Sequence, residues 1–392
     1  MYPDLSYFLH DILPSLFDRD GGFSVVKTFG LLLAMAFLAS AYTLTLEFKR
    51  KEAEGLLLPR LTTITIGEAA TPTDLIINAL IGFFIGFKFV YAAQNFIAFK
   101  ADAAGIIAST KGSWIGGIIG LVLFLAYRYY ESQKTKLDKP ITQTVNVFPH
   151  ARIGDITIVA AIFGLLGAKL FSVMENWSDF AADPLGQLFS GSGLTMYGGL
   201  ILAFFTCYIY VKKLGIPPIL MMDSVAPALV VGYGVGRLGC QFSGDGDWGI
   251  ENTAPKPSWM SMLPDWLWAQ NYPHNVLKEG FPIEGCTDGY CTQLIPAVFP
   301  TPMYETMMCM VILAILWFLR KRIKMNGMIF FIYLLLNGLE RFIIETIRVN
   351  PRYNFLGASL SQAQIIALGL MLIGVLGMIG VWIYNKREVA KI

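Results

Sequence analysis

Runs of about 20 mostly apolar residues, the length an α-helix needs to cross ~30 Å of hydrocarbon, recur along this chain and constrain its fold more than any other feature. Nine segments qualify: 25–47, 75–99, 112–130, 155–174, 193–211, 219–236, 302–320, 327–347 and 360–385. A transmembrane β-barrel would instead show alternating segments of about 10 residues, and these runs do not alternate. Composition agrees, because 15% of the 392 residues are charged and 55% are hydrophobic, whereas a soluble domain carries about 25% charge. The net charge of +2 offers no basic surface for nucleic acid, and the apolar content excludes a disordered chain. The expected fold class is an all-α polytopic membrane protein with about nine transmembrane helices.

Basic residues set the expected orientation, because cytoplasmic loops collect Lys and Arg. With the N-terminus outside and the C-terminus inside, eighteen of the thirty basic residues fall in inner loops and eight in outer segments. Residues 1–24 read as an amphipathic surface arm: Leu5, Phe8, Leu9, Ile12, Leu13 and Leu16 form one apolar helix face, with Asp4, Asp11, Asp18 and Asp20 as polar residues. The remainder, 25–392, is the transmembrane domain. Its longest outer segment, 237–301, contains Cys286 and Cys291, a pair that can form a disulfide in an oxidising compartment. One internal echo is present. Gly86-Phe87-Lys88 with Asn95-Phe96 repeats as Gly167-Ala168-Lys169 with Asn176-Trp177. Segment 75–130 therefore reads as an inserted helix pair partly copied from the span at 155–174, although chance similarity between apolar helices also explains the echo.

The remaining charge is concentrated at one membrane depth. Intramembrane charge is costly and usually marks function or an internal pair. Arg341, Glu345 and Arg348 share one helix face at i, i+4 and i+3 spacing, next to Glu340. Gly236-Arg237-Leu238-Gly239-Cys240 continues through Asp245 and Asp247 to Gly249, a glycine-rich stretch suited to cradling an anion beside an arginine. Gly191 to Gly199, with Tyr197, Gly198 and Gly199, enters a span from the outside, as does Thr301-Pro302-Met303-Tyr304-Glu305. Each also has a plain structural reading, as an ion-pair ladder, a loop turn or, for Glu305, a carboxylate in a first helical turn. All four lie at the outer headgroup level, where a phospholipid phosphate sits. A transporter would be expected to place polar groups near the midplane, where only Lys88 and Lys169 fall.

In sequence order these motifs resemble those of the prolipoprotein diacylglyceryl transferase family. Gly236 to Gly249 is similar to its G-R-x-G-N-F-x-N-x-E-x-x-G pattern, Tyr197-Gly198-Gly199-Leu200 to its H-G-G-L, and Thr301 to Glu305 to its P-x-x-x-Y-E. Arg341-Phe342 with Glu345 and Arg348 is similar to its R-F-x-x-E-x-x-R, and Thr28-Phe29-Gly30 to its W-Y-G. The chain departs at Tyr197, where the family has histidine, at Cys240 (asparagine) and at Phe29 (tyrosine). The loop is one residue longer, so Asp245 only approximately replaces the family glutamate. Segment 75–130 has no counterpart in the family's usual plan of seven spans.

The resemblance implies an enzyme of the bacterial inner membrane whose active site faces the periplasm. Such an enzyme moves the diacylglyceryl group of phosphatidylglycerol onto the lipobox cysteine of a prolipoprotein signal peptide, and neither metal nor organic cofactor is implied. Arg237, Arg341, Tyr197, Asp245 and Glu345 are then the expected catalytic residues. Gly198, Gly199, Gly236, Gly239, Gly249, Phe29, Tyr304, Glu305 and Arg348 are the expected substrate-binding residues. The alternatives are a relative that transfers or binds a phospholipid with another acceptor, and a non-catalytic transporter or structural membrane protein.

Overall fold

The computed structural model describes residues 1–392 apart from 20, 102, 138–139, 190–194, 356 and 390–392. The chain runs through α1 (Leu5–Ile12), α2 (Thr28–Ala53) and β1 (Arg60–Ile66). Next come α3 (Pro72–Gln94), the short α4 (Phe96–Ala101) and α5 (Ala103–Ala108), and α6 (Trp114–Thr135). Strand β2 (Ile141–Val147) leads to α7 (Ile153–Glu175), the short α8 (Trp177–Ala182) and α9 (Pro184–Phe189), and α10 (Met196–Lys213). Helix α11 (Pro218–Ser243) precedes a long loop holding the two-residue strands β3 (Phe281–Pro282) and β4 (Thr292–Gln293). Helices α12 (Thr301–Leu319) and α13 (Met328–Ile344), the hairpin β5 (Arg352–Phe355) and β6 (Ala358–Ser361), and α14 (Gln362–Val389) complete the order.

Among the described residues, six helical segments are long and apolar enough to cross a membrane: Thr28–Ala53, Pro72–Gln94, Pro149–Glu175, Pro218–Ser243, Thr301–Leu319 and Gln362–Arg387. The fold is that of a mostly helical polytopic membrane protein. The other three expected spans are helical as well, as α6, α10 and α13. The chain divides into two compact units, 1–54 with 216–392, and 55–215.

In the first unit α11 packs against α2, α12 and α13, and α13 packs against α14. Ala226 and Val230 of α11, Cys309, Ile312 and Leu316 of α12, and Ile329 of α13 form its buried core. Helix α11 starts on Pro218, whose missing N–H costs nothing in a first turn. It ends at Gly244, whose left-handed backbone (φ 65°) lets its N–H return to the Cys240 carbonyl at 3.0 Å. Two ion clusters lie near opposite ends of α12. One is built on Glu305, and the other pairs Arg320 with Glu47, which also binds Arg50 at 2.8 Å. Fifteen residues at 1.5 Å rise separate them by about 22 Å.

The second unit consists of two helical hairpins, α3 with α6 and α7 with α10, joined through a two-stranded antiparallel ladder of β1 and β2. Helix α3 opens with a capping box between Thr71 and Asp74. This ladder was not expected. Its strands are threonine-rich and short, and they lie in segments that charge counting assigns to loops.

The N-terminal arm contains one true helix, α1, capped by Asp4, whose side chain accepts the Ser6 N–H at 3.1 Å. It docks on the long loop rather than standing free. Tyr7 is buried and packs on the rings of His274 and Tyr290, and Arg19 pairs with Asp288 at 3.0 Å. Cys286 and Cys291 form a disulfide in this part of the loop.

Candidate functional site

Helix α12 presents Glu305 one turn in from its proline-started N-terminus, and the carboxylate has no exposure to solvent. Three guanidinium groups surround it. Arg237, from the last turns of α11, brings Nε to 3.0 Å from Oε2. Arg341, from α13, donates from Nη1 to Oε1 at 3.1 Å, and Arg348, just beyond α13, from Nη1 to Oε1 at 3.3 Å. Tyr233 lies one turn before Arg237 on α11. Its hydroxyl donates to Oε1 at 3.0 Å, and its ring lies 5.1 Å from the Arg237 guanidinium carbon. Ion pairs this well buried hold only when most of their hydrogen-bonding capacity is met; Glu305 meets that condition at Oε1, whereas Oε2 has the Arg237 ion pair but no hydrogen-bond partner among the described residues.

A second carboxylate closes the array. Asp247 pairs with Arg237 through Oδ2 and accepts from Arg348 through Oδ1 at 2.5 Å. Cys240 donates its thiol to Asp247 Oδ2 at 3.4 Å. Backbone contacts fix the loop there. Thr301 Oγ1 donates to the Asp247 carbonyl at 2.6 Å, the Gly249 N–H to Phe299 at 2.8 Å and the Ile250 N–H to Ile347 at 2.8 Å. Burial alone would raise the Asp247 carboxyl, but the charges of Arg237 and Arg348 outweigh it and hold the group below the usual carboxylate range. Asp245 differs. Burial, and then the negative charge of Asp247, push its carboxyl above that range, and its Oδ1 has no hydrogen-bond partner among the described residues.

Glu345 pairs with Arg341 at 3.3 Å and accepts from Asn350 Nδ2 at 2.5 Å, so it steadies Arg341 from behind. Of the three arginines, Arg341 is the most open, with 24% of its side chain exposed against 10% for each of the others. Glu340 is 3% exposed, and neither of its oxygens has a hydrogen-bond partner among the described residues.

The first unit therefore brings together Arg237, Arg341, Arg348, Glu305 and Glu345 directly, with Asp245 beside Asp247. Gly249 lies against Ile347 and Phe299, where a side chain would collide with the Ile347 carbonyl. Gly239 faces the ring of Phe29 on α2, and Gly236 faces open space. Tyr304 turns away from the arginines and donates its hydroxyl to the Leu267 carbonyl at 2.6 Å. Residues 191–194 and the side chain of Tyr197 lie outside the described residues. Gly198 and Gly199 belong to the second unit, where α10 crosses α7 with their backbones against Gly167 and Gly164.

Three participants escaped the sequence reading. Asp247 was visible two residues after Asp245, but nothing in the sequence says which of the two turns inward. Tyr233 shares a helix face with Arg237 at i−4, a usable signal. Asn350 lies past the last helical residue and gave none.

Two groups of side chains come close enough to share a cation: Cys240 with Asp245 and Asp247, and His274 with Cys286 and Asp288. In the first, Asp247 is already paired with two arginines, and in the second the Cys286 sulfur is bonded to Cys291. Neither arrangement favours a metal.

Comparison with known proteins gives a consistent picture. The family model for prolipoprotein diacylglyceryl transferase matches residues 135–380. A phosphatidylglycerol–prolipoprotein diacylglyceryl transferase of Clostridium novyi is 28% identical over 276 residues, covering 70% of this chain and 93% of the relative, which is therefore about 300 residues long. The enzyme of the same name from Shouchella clausii is 25% identical over 267 residues, 68% of this chain and 84% of the relative. That from Finegoldia magna is 28% identical over 281 residues, 71% and 93%.

Proposed function

The chain belongs to the prolipoprotein diacylglyceryl transferase family, and from that premise we propose that it transfers the diacylglyceryl group of phosphatidylglycerol to the lipobox cysteine of prolipoproteins. In this reaction the cysteine thiolate forms a C–S bond to the glyceryl carbon as that carbon's C–O bond to phosphate breaks. Glycerol 1-phosphate leaves with the bonding pair, and the thiol proton passes to a base. The site must therefore stabilise a departing phosphate and help ionise a thiol whose ordinary pKa is about 8.5.

One observation carries the reading: three guanidinium groups converge on Glu305 and Asp247 at one end of the α11–α12–α13 bundle. Guanidinium groups suit phosphate because their planar donors bind it bidentately. Arg341, the most exposed of the three, makes the first contact with the lipid phosphate, and Arg237 completes the clamp. Glu305, Glu345 and Asp247 hold the guanidinium planes in place before substrate arrives, which lowers the cost of organising them during the reaction. Arg348 and Gly249 fix the loop. Asp245, with its raised proton affinity, takes up the thiol proton. A groove of about 340 Å³ lined by Thr43, Val231, Met310, Leu313, Ala314 and Trp317 runs beside α12 on the side away from Glu305's helix end, and it takes an acyl chain. The proposed setting is a bacterial inner membrane, crossed nine times with the N-terminus out and the C-terminus in. This orientation puts the arginine cluster at the outer leaflet and the Glu47–Arg320 cluster at the inner one.

The test uses purified protein, phosphatidylglycerol vesicles and a lipobox peptide. A mass gain of one diacylglyceryl unit on the peptide cysteine is expected, and Arg341→Ala should reduce it at least ~100-fold. Folded protein that yields no adduct, under conditions where the Clostridium novyi relative does, overturns the reading. A normal rate in Arg341→Ala removes that residue from the mechanism.

A further inference from the structure

The two hairpins of the second unit share more than composition. Strands β1 and β2 begin at Arg60 and Ile141, 81 residues apart, and have equal length. The same step carries α3 onto α7, α4 onto α8 and α5 onto α9, end for end. Helices α3 and α7 close on Asn95 and Asn176 with matching backbone angles, φ −117° and ψ 44° against φ −116° and ψ 52°. Each asparagine side chain donates back to the carbonyl four residues earlier, Tyr91 at 3.0 Å and Ser172 at 3.1 Å. Ser113 N–H reaches the Phe87 carbonyl at 2.9 Å, and Thr195 N–H reaches that of Ala168 at 3.0 Å.

The helix crossings match as well. A Cβ on Gly86 would run into the Gly116 carbonyl, and one on Gly167 into the Gly198 carbonyl, so both pairs require glycine for the same close approach. One residue inserted before α10 turns Ser113-Trp114-Ile115-Gly116-Gly117 into Thr195-Met196-Tyr197-Gly198-Gly199. Chance resemblance between apolar helices does not reproduce element lengths, caps and backbone hydrogen bonds together.

The ladder adds an independent observation. Its register pairs Arg60 with Val147 and Ile66 with Ile141, centred on Thr63 opposite Thr144. Thr63 and Thr144 are themselves equivalent under the 81-residue step. Each strand thus meets its own counterpart about a local two-fold, as two identical subunits meet in an isologous interface.

We propose that residues 60–135 are a duplicate of the arm built by 141–213, serving as a built-in partner strand and brace, and that of the two arms only the second is needed for the transfer reaction. The copies keep the same scaffold: Gly86 and Gly167, Lys88 and Lys169, Asn95 and Asn176, Gly116 and Gly198. They differ where chemistry is expected, with Ile115 in the place of Tyr197 and Gln94 in that of Glu175, whose Oε2 accepts from Thr195 at 2.8 Å. The family model begins at residue 135, the last residue of the first arm. The assignment of chemistry rests on the transferase reading, and the duplication itself does not.

Equivalent substitutions in the full chain test it. Gly86→Leu and Gly167→Leu disturb the same crossing in different copies. Per folded molecule, Gly167→Leu should lose at least ~10-fold in transfer rate, whereas Gly86→Leu should stay within ~3-fold of the parent. Equal losses overturn the proposal. If either variant fails to fold, deletion of residues 60–140 replaces it. The shortened chain should insert, unfold cooperatively and retain transfer, and a folded but inactive product overturns the proposal. Should the parent itself show no transfer, the transferase reading fails. The duplicate is then judged on whether the deleted chain still inserts and folds, and failure to do so overturns it.

Discussion

At the scale of single residues, Asp245 and Asp247 show how two neighbouring carboxylates acquire opposite properties. Asp247 lies between Arg237 and Arg348 and is held ionised, while Asp245 is half-buried beside that negative charge and holds its proton more tightly. The stability consequences have opposite signs. Asp247, with a lowered folded pKa, contributes stability that is present above its unfolded value near ~3.9 and lost as pH falls through the folded value. Asp245, with a raised folded pKa, contributes stability that is present below the unfolded value and lost as pH rises through the folded one. Asp247→Asn should therefore lower the thermal midpoint in detergent at pH 7 more than at pH 3. Because Asp247 is about one-third exposed, the cost is about 1–3 kcal/mol rather than the 3–5 of a fully buried pair. Asp245→Asn should raise the midpoint at pH 7 and leave it unchanged at pH 3. The same sign for both variants at pH 7 would contradict the assigned environments. The arginines were legible in the sequence because charge in an apolar helix stands out. The choice between the two aspartates was not, since it depends on a loop register set by Thr301, Phe299 and Ile347, far away in sequence. Glu305 was legible as a first-turn carboxylate and, through the motif it shares with the family, as an expected substrate-binding residue, but its role as the hub of three arginines required the packing of α11, α12 and α13.

Between elements, the disulfide hairpin around Cys286–Cys291 and the N-terminal arm form one clasp. Asp288 and Tyr290, both between the cysteines, take the arm's Arg19 and, at 3.2 Å, the ammonium of Lys27. His274 shares the Tyr290 carbonyl at 2.6 Å. The disulfide closes a loop of only a few residues, so by the chain-entropy estimate its direct contribution is about 2 kcal/mol, and the helices should not depend on it. Reduction should speed hydrogen exchange in residues 1–19 and in 283–291, while the main thermal transition shifts by only a few degrees. Unchanged exchange in the arm would show that the clasp does not hold it. The cysteine spacing and the amphipathic arm could each be read separately from the sequence. Their contact could not, because it runs through Tyr7, Arg19 and Tyr290, none of which stands out in an aromatic-rich chain. The helices themselves were the most legible level, since length and hydropathy alone locate a span. The β1–β2 ladder was the least legible, because seven threonine-rich residues carry no periodic signal.

For the molecule as a whole, the local two-fold centred on Thr63 and Thr144 has a consequence for assembly. A strand that pairs with its own duplicate is complementary to itself, so a chain with a single copy leaves that edge open. After deletion of residues 60–140, Ile141–Val147 should pair with the same strand of a second molecule, again centred on Thr144, where the full chain satisfies the edge internally. Mass photometry in detergent should then find the shortened chain dimeric and the full chain not associated through this edge. Adding Thr144→Pro should return the shortened chain to monomer, because proline removes a ladder donor at the centre of the pairing. A monomeric shortened chain that is folded would show that the ladder is a by-product of covalent linkage rather than a self-complementary interface. The sequence carried this symmetry only as two glycines, two lysines and two asparagines at one offset. Duplicated apolar helices diverge freely on their lipid-facing sides, which exchange one apolar residue for another at little cost. What persists is what packing and backbone hydrogen bonding require, and those requirements appear only when both crossings and both caps are seen in three dimensions.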